Sequence, residues 1–293
     1  MMAGVSLRAL AVITALSAGA AVLLAQAPDR SGAPAGRAPQ NRGSSPLANY
    51  QNIPLWEPGK VPMALGTAPL DAPFLTVSLP PAGKANGKAV IVAPGGGNIM
   101  LMYGAEGLDA AERYNEWGVT AFLLNYRLNP YNDTARFADA ARAVRMVRAH
   151  AADWKLDPDT IGYIGFSAGA NMGRPFVAQA TPCDPESADP VERVSSRPDY
   201  LALVYGPGRA TPGENLKTFP PTFLLSAAAD AGPSNGNAQF FLDLNRAGAT
   251  VEMHIYQKGR HGFGAGSKSP EFGEWMGALK HFLVVGKFLP EDK

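Results

Sequence analysis

Short apolar runs alternate with longer amphipathic stretches from about Ile53 to the end of the chain. This alternation is typical of strands joined by helices, and it predicts an α/β fold with a mainly parallel central sheet flanked by helices. The strands are expected at residues 74–79, 89–93, 119–125, 161–165, 200–205, 222–226 and 251–256.

The clearest helix is expected from about Thr134 to His150, after a capping Asp133. Its apolar residues repeat at helical spacing, and the arginines avoid that apolar stripe. We therefore expect these arginines to form a solvated face: Arg136, Arg142, Arg145 and Arg148. Further helices are expected at residues 107–117, 168–180, 236–247 and 270–288.

The N-terminus has the pattern of a secretory signal, because Arg8 precedes an uncharged run rich in Ala, Leu and Val that extends from Ala9 to Ala25. We expect residues 1–27 to be a signal peptide and the protein to be exported, to the periplasm or the extracellular space. The same run approaches the roughly 18 to 20 residues that span a bilayer, so an uncleaved membrane anchor is the alternative.

Residues 28–49 are rich in Pro, Gly, Ser and Arg and contain almost no large apolar side chain, which predicts a disordered linker before one domain over residues 50–293. The net charge is only +1 and the basic residues are scattered, so a nucleic-acid partner is not expected. The single cysteine, Cys183, excludes an intramolecular disulfide, and stability must come from the core.

Residues 165–169 read G-F-S-A-G and fit the pattern G-x-S-x-G. An apolar strand runs directly into this motif and a helix-compatible stretch follows it, as expected for a nucleophilic serine on a strained strand-turn-helix elbow. Side chains at the two glycines would collide with neighbouring elements in so sharp a turn. Ser167 is therefore the candidate nucleophile.

A serine hydroxyl needs a base and an orienting acid. His261 stands between glycines in G-R-H-G-F-G just after the last expected strand, and Asp230 follows the preceding strand. Ser167, Asp230 and His261 thus occur in the order used by hydrolases that carry serine on such an elbow. The alternative for Asp230 is a turn or helix-capping aspartate.

The oxyanion of a tetrahedral intermediate needs preorganised N–H donors, each worth about 3 kcal/mol of barrier. We expect them from Ala168 and from P-G-G-G at residues 94–97, with Gly96 and Gly97 favoured. A phosphate cradle is the competing interpretation of these glycines, but neither a following Lys-Ser or Lys-Thr nor a G-x-G-x-x-G pattern is present. No metal-ligand constellation is evident, and no cofactor or metal is expected.

These motifs resemble those of exported α/β-hydrolases of the carbohydrate-esterase type, related to acetyl xylan and feruloyl esterases and often labelled endoxylanase-like. The likeness covers about residues 88–288. It rests on P-G-G-G, G-F-S-A-G, N-Y-R-L at 125–128, P-P-T-F-L-L at 220–225 and E-M-H-I-Y-Q-K-G-R-H-G-F-G at 252–264. The resemblance implies cofactor-free hydrolysis of acetyl or related acyl esters on plant polysaccharides, with an acylated polysaccharide or oligosaccharide as substrate.

The chain departs from that pattern in two places. Residues 229–233 read A-D-A-G-P, where such enzymes usually show paired acids before a Val-Pro turn, and residues 170–174 read A-N-M-G-R. Two alternatives stay open: a serine exopeptidase like the dipeptidyl peptidases, which share the Asp and His loop patterns, and a secreted carbohydrate-binding protein without activity, which the unusual Asp230 loop suggests. Fewer than 65 residues separate Ser167 from Asp230, so a large cap domain is not expected.

Overall fold

The computed structural model describes residues 50–181, 183–265 and 275–291. The expected signal peptide (1–27) and linker (28–49) lie outside the described residues and stay predictions, as does the boundary of the main domain. In the described part of the chain, no helix is both long enough and apolar enough to cross a membrane.

The described strands form one eight-stranded sheet in the order β1-β2-β4-β3-β5-β6-β7-β8. Their bounds are β1 Gln51–Pro54, β2 Phe74–Ser78, β3 Ala89–Ala93, β4 Thr120–Asn125, β5 Ile161–Phe166, β6 Tyr200–Val204, β7 Thr222–Ala227 and β8 Val251–Tyr256. β2 is antiparallel to β1 and to β4, whereas the pairs from β4 through β8 are parallel. The predicted mainly parallel sheet is confirmed.

Five α-helices accompany this sheet in the described residues: α1 Asp109–Glu116, α2 Asp133–Ala149, α3 Ala168–Ala178, α4 Ala231–Arg246 and α5 Trp275–Val285. A π-helical turn, Tyr103–Leu108, leads into α1. α4 begins earlier than the expected Gly236, and residues 270–274 of the last expected helix lie outside the described residues. The sequence analysis missed β1, because this short, largely exposed edge strand has no apolar alternation.

The core has one layer on each face of the sheet. Residues of α2, α3 and α4 pack on one face, and residues of α1 and α5 pack on the other. The sequence of β3 is a continuous apolar run because both faces of the strand are covered. Ile91 faces the first layer, while Val90 and Val92 face the second. A strand covered on both faces has no solvated side to alternate toward.

The expected solvated face of α2 is wrong: Arg136, Arg142 and Arg145 are buried, and the side chain of Arg148 is only 10% exposed and pairs with Asp199. Arg142 donates to the Leu55 carbonyl and contacts Glu192, which also pairs with Arg145. Chain segments distant in sequence cover this face and supply acceptors. The capping residue is also corrected: the Asn132 side chain, not that of Asp133, accepts the N–H of Ala135.

A fully buried ion pair joins the segment after β4 to α2. The side chains of Arg127 and Asp139 are both fully buried. Arg127 Nη2 lies 2.7 Å and Nε 3.0 Å from Asp139 Oδ1, and the Arg127 backbone N–H donates to Oδ2 at 2.9 Å. Further guanidinium donors reach the carbonyls of Pro62 and Ala135. The pair thus locks the N-Y-R-L segment against α2.

We expect Asp139→Asn to lower the free energy of unfolding by about 3–5 kcal/mol, because it leaves a buried guanidinium without its counter-charge. Burial raises the pKa of Asp139 to about 6, so urea unfolding should be measured at about pH 7.5, where the carboxyl is ionised. Glu57→Gln, in an exposed ion pair with Lys60, is the matched control and should leave the unfolding midpoint unchanged. Equal midpoints for the two variants would contradict the role given to Asp139.

Candidate active site

Ser167 lies at the turn between β5 and α3, as the G-x-S-x-G pattern predicts. Its backbone has φ 47° and ψ −111°, a conformation that L-residues rarely adopt. The strained turn reverses the chain sharply between strand and helix, which is the geometry that presents a serine hydroxyl above the end of a sheet.

The two glycines of the motif permit this turn. A Cβ on Gly165 would lie 2.5 Å from the carbonyl oxygen of Gly169 in α3, and a Cβ on Gly169 would lie 2.1 Å from the carbonyl oxygen of Ala93 in β3. Both neighbours are backbone atoms, so they have little freedom to move away. A side chain at Gly165 would therefore collide with α3, and a side chain at Gly169 would collide with β3, as expected from the sequence.

The structure brings together the three residues predicted as a triad. Ser167 Oγ lies 2.6 Å from His261 Nε2, and His261 Nδ1 lies 2.7 Å from Asp230 Oδ2. The hydroxyl can therefore give its proton to Nε2 while Nδ1–H donates to the carboxylate. The His261 side chain is 47% exposed, whereas that of Asp230 is 15% exposed.

Asp230 occupies the N-cap position of α4, yet its side chain makes no capping hydrogen bond. The helix-capping interpretation is half right: the position is a cap, but the carboxylate is directed to His261 instead of the helix. The unusual A-D-A-G-P stretch still delivers an acid to the histidine, and it does so by starting α4 directly after Asp230.

The P-G-G-G loop lies directly against Ser167, because a Cβ on Gly95 would be 2.7 Å from the Ser167 Cβ. Gly96 and Gly97 have positive φ angles of 125° and 63°. Their N–H groups have no hydrogen-bond acceptor among the described residues. Ala168 is the first residue of α3, so its N–H also lacks a partner within the helix.

The P-G-G-G loop is hydrogen-bonded to the N-Y-R-L segment and to Asn129, the second residue after Arg127. Tyr126 donates from its buried hydroxyl to the Pro94 carbonyl at 2.8 Å, and the Asn129 N–H donates to the Asn98 carbonyl at 2.8 Å. The free N–H groups near Ser167 and the positive end of the α3 dipole can together stabilise an oxyanion. The assignment of Gly96, Gly97 and Ala168 to this role stays a prediction.

A cleft of about 600 Å³ opens beside Ser167. Ala168 and His261 line it together with polar side chains that include Asn98, Asn171 and Arg209. The segment between Ser167 and Asp230 contains only α3, β6, β7 and short 3-10 turns within its described residues, so no large cap domain covers the cleft there.

The sequence analysis missed Glu106, which is 2% exposed and lies on the π-helical turn. Its Oε1 accepts the Tyr205 hydroxyl at 2.7 Å, and its Oε2 accepts the Gly95 N–H at 2.6 Å. Burial raises the pKa of Glu106, and these two donors oppose the effect. An isolated Glu among small residues carries no sequence signal of such a network.

No metal centre emerges from the described residues: none of their His, Cys, Asp and Glu side chains form a group of three or more arranged to hold an ion. Cys183 is exposed and has a free thiol.

The comparisons with known proteins agree with this fold. The BD-FAE family model matches residues 75–179. The crystal structure of an acetyl ester-xyloside bifunctional hydrolase from Caldicellulosiruptor lactoaceticus superimposes with a TM-score of 0.75, at 30% identity, over 82% of this chain and 97% of that one. Propionate-bound esterase 2 of Thermogutta terrifontis shares the fold, with a TM-score of 0.66 at 18% identity over 85% of this chain and 98% of that one.

An acetylxylan esterase of Xylanibacter ruminicola is 27% identical over 248 residues, 74% of this chain and 51% of that protein. This chain thus spans about half the length of that relative. The sheet and the position of the Ser167 elbow on it are those of the α/β-hydrolase class. More particularly, the chain belongs to the α/β-hydrolases of the carbohydrate-esterase type, as the solved relative that it covers almost entirely shows.

We expect Gly169→Ala to reduce esterase turnover by at least about 10²-fold, because displacing the elbow by 1 Å misplaces the nucleophile. Turnover of p-nitrophenyl acetate is the measurement. Gly104→Ala is the matched control, since a Cβ there would meet nothing within 4 Å, and it should keep wild-type turnover. If Gly169→Ala were as active as Gly104→Ala, the close packing at the elbow would not be required.

Proposed function

We propose that this protein is a serine esterase that hydrolyses acetyl or other short acyl esters on carbohydrates. The observation that carries the proposal is the chain of short contacts from Ser167 through His261 to Asp230, 2.6 and 2.7 Å long, at the strained elbow. The family relationship and the ester hydrolases among the relatives support the same reaction class.

In the proposed reaction, His261 Nε2 takes the proton of Ser167 as Oγ attacks the ester carbonyl carbon. The carbonyl oxygen becomes an oxyanion that accepts the N–H of Ala168 and of Gly96 or Gly97. Asp230 stabilises the imidazolium. When the tetrahedral intermediate collapses, the sugar hydroxyl leaves with the proton from His261, and an acyl-serine remains.

Water then hydrolyses the acyl-enzyme in a second set of steps that mirrors the first. His261 takes a proton from the water, the resulting hydroxide attacks the acyl carbon, and collapse returns the proton to Ser167 and releases the carboxylic acid. All proton transfers use Nε2 of one imidazole, and the reaction needs no redox partner or cofactor.

A carbohydrate ester suits the cleft for physical reasons. Its wall carries polar side chains, among them Asn98, Asn171 and Arg209, that can bond sugar hydroxyl groups. The half-exposed imidazole indicates an open approach, which admits a bulky saccharide more readily than an apolar tunnel would.

We also propose that the protein is exported. The support is the uncharged run from Ala9 to Ala25 behind Arg8. Extracellular or periplasmic location fits a polysaccharide substrate, which cannot enter the cytoplasm.

The test is acetate release from acetylated xylan and hydrolysis of p-nitrophenyl acetate by the wild type and by Ser167→Ala. We expect wild-type activity on both substrates and a loss of about 10⁴-fold or more in kcat for the variant, because the nucleophile is removed. Ser195→Ala is the matched control; its hydroxyl accepts a loop N–H from Arg197, and the change should leave kcat intact.

A fluorophosphonate probe separates the remaining alternatives. A non-catalytic carbohydrate-binding protein would not be labelled at Ser167. Labelling together with cleavage of dipeptide p-nitroanilides, and without ester hydrolysis, would favour the exopeptidase. Activity on p-nitrophenyl acetate alone would support the esterase function and contradict the proposed polysaccharide substrate.

A further inference from the structure

Glu106 connects two loops of the site without reaching the cleft. Its carboxylate binds the P-G-G-G loop at Gly95 and, through Tyr205, the loop that carries His261. Tyr205 completes the second connection because its hydroxyl oxygen accepts the Gly264 N–H at 3.0 Å.

The direction of each hydrogen bond is determined by its donors. Backbone N–H groups can only donate, so Tyr205 accepts from Gly264 and must place its own proton on Glu106 Oε1. Glu106 Oε2 accepts from Gly95. Both carboxylate oxygens therefore act as acceptors, a pattern that a carboxamide cannot reproduce because one of its two heteroatoms is a donor.

The two residues that Glu106 binds, Gly95 and Tyr205, lie next to Ser167 and His261. A Cβ on Gly95 would lie 2.7 Å from the Ser167 Cβ and 2.8 Å from Glu106 Oε2, so the carboxylate packs directly behind the loop that faces the nucleophile. On the other side, the ring of Tyr205 lies 5.0 Å from that of His261. The backbone of the π-helical turn adds a further tie, since the Ala265 N–H donates to the Ala105 carbonyl at 2.9 Å.

We propose that Glu106 is a positioning residue for ester hydrolysis, which, through Gly95 and Tyr205, holds the Gly96 and Gly97 donors and the His261 loop in register with Ser167. The inference rests on the proposed function. Glu106 acts through Gly95 and Tyr205 and does not touch substrate, because it is 2% exposed. Its loss should therefore impair the transition state more than substrate binding.

The test is steady-state hydrolysis of p-nitrophenyl acetate by Glu106→Gln, Tyr205→Phe and the double variant. Glu106→Gln keeps the shape of the side chain but places a donor opposite either Gly95 or Tyr205. We expect kcat to fall about 10- to 100-fold with KM changed less than about threefold. Because the two residues share one network, the double variant should lose less than the product of the single losses.

Glu112→Gln makes the same chemical change on the exposed face of α1 and should retain wild-type kcat. Thermal unfolding of each variant shows whether the fold is kept, and if Glu106→Gln does not fold, Tyr205→Phe decides. Wild-type kcat in a folded Glu106→Gln or Tyr205→Phe, or a fall that is confined to KM, would overturn the proposal. An inactive, unlabelled wild type would instead refute the esterase function itself.

Discussion

The turn between β5 and α3 is the constraint on which the site depends. It holds Ser167 at a positive φ, and it exists only because Gly165 and Gly169 leave room for backbone atoms of α3 and β3. The same turn starts a helix immediately after Ser167, so the Ala168 N–H and the positive end of the helix dipole lie next to that residue. One strained residue thus determines the positions of the Ser167 hydroxyl and of the Ala168 N–H, the proposed nucleophile and the proposed oxyanion donor.

Parallel strand order explains why the other groups meet at this turn. The P-G-G-G loop, the elbow, Asp230 and the His261 loop follow β3, β5, β7 and β8, and those strands end at one edge of the sheet. Each group stands in the first few residues after a strand that the sequence pattern predicts. For this reason the fold class and the convergence of Ser167, Asp230 and His261 could be predicted from the chain alone.

Features that depend on distant partners could not be predicted. The pattern of α2 indicates an amphipathic helix, yet nothing local shows that Leu55 and Glu192 cover the face that holds its arginines. Glu106 is hidden for the same reason, because its partners Gly95 and Tyr205 lie far apart in sequence. Local pattern identifies an apolar face; it does not show which polar residues are buried with acceptors supplied by another segment.

The position of the His261 loop depends on the packing and hydrogen bonding of the residues that follow the histidine. It leaves the sheet after β8, and its imidazole is half exposed, so apolar burial of the histidine itself contributes little to its position. The loop is instead fixed just downstream: the Phe263 ring packs edge-on against Tyr205 at 4.7 Å and near Trp275 of α5, and the Gly264 N–H bonds the Tyr205 hydroxyl. Tyr205 is therefore both an apolar anchor and a hydrogen-bond relay. A half-exposed histidine acquires a defined position because the residues that follow it pack into the core.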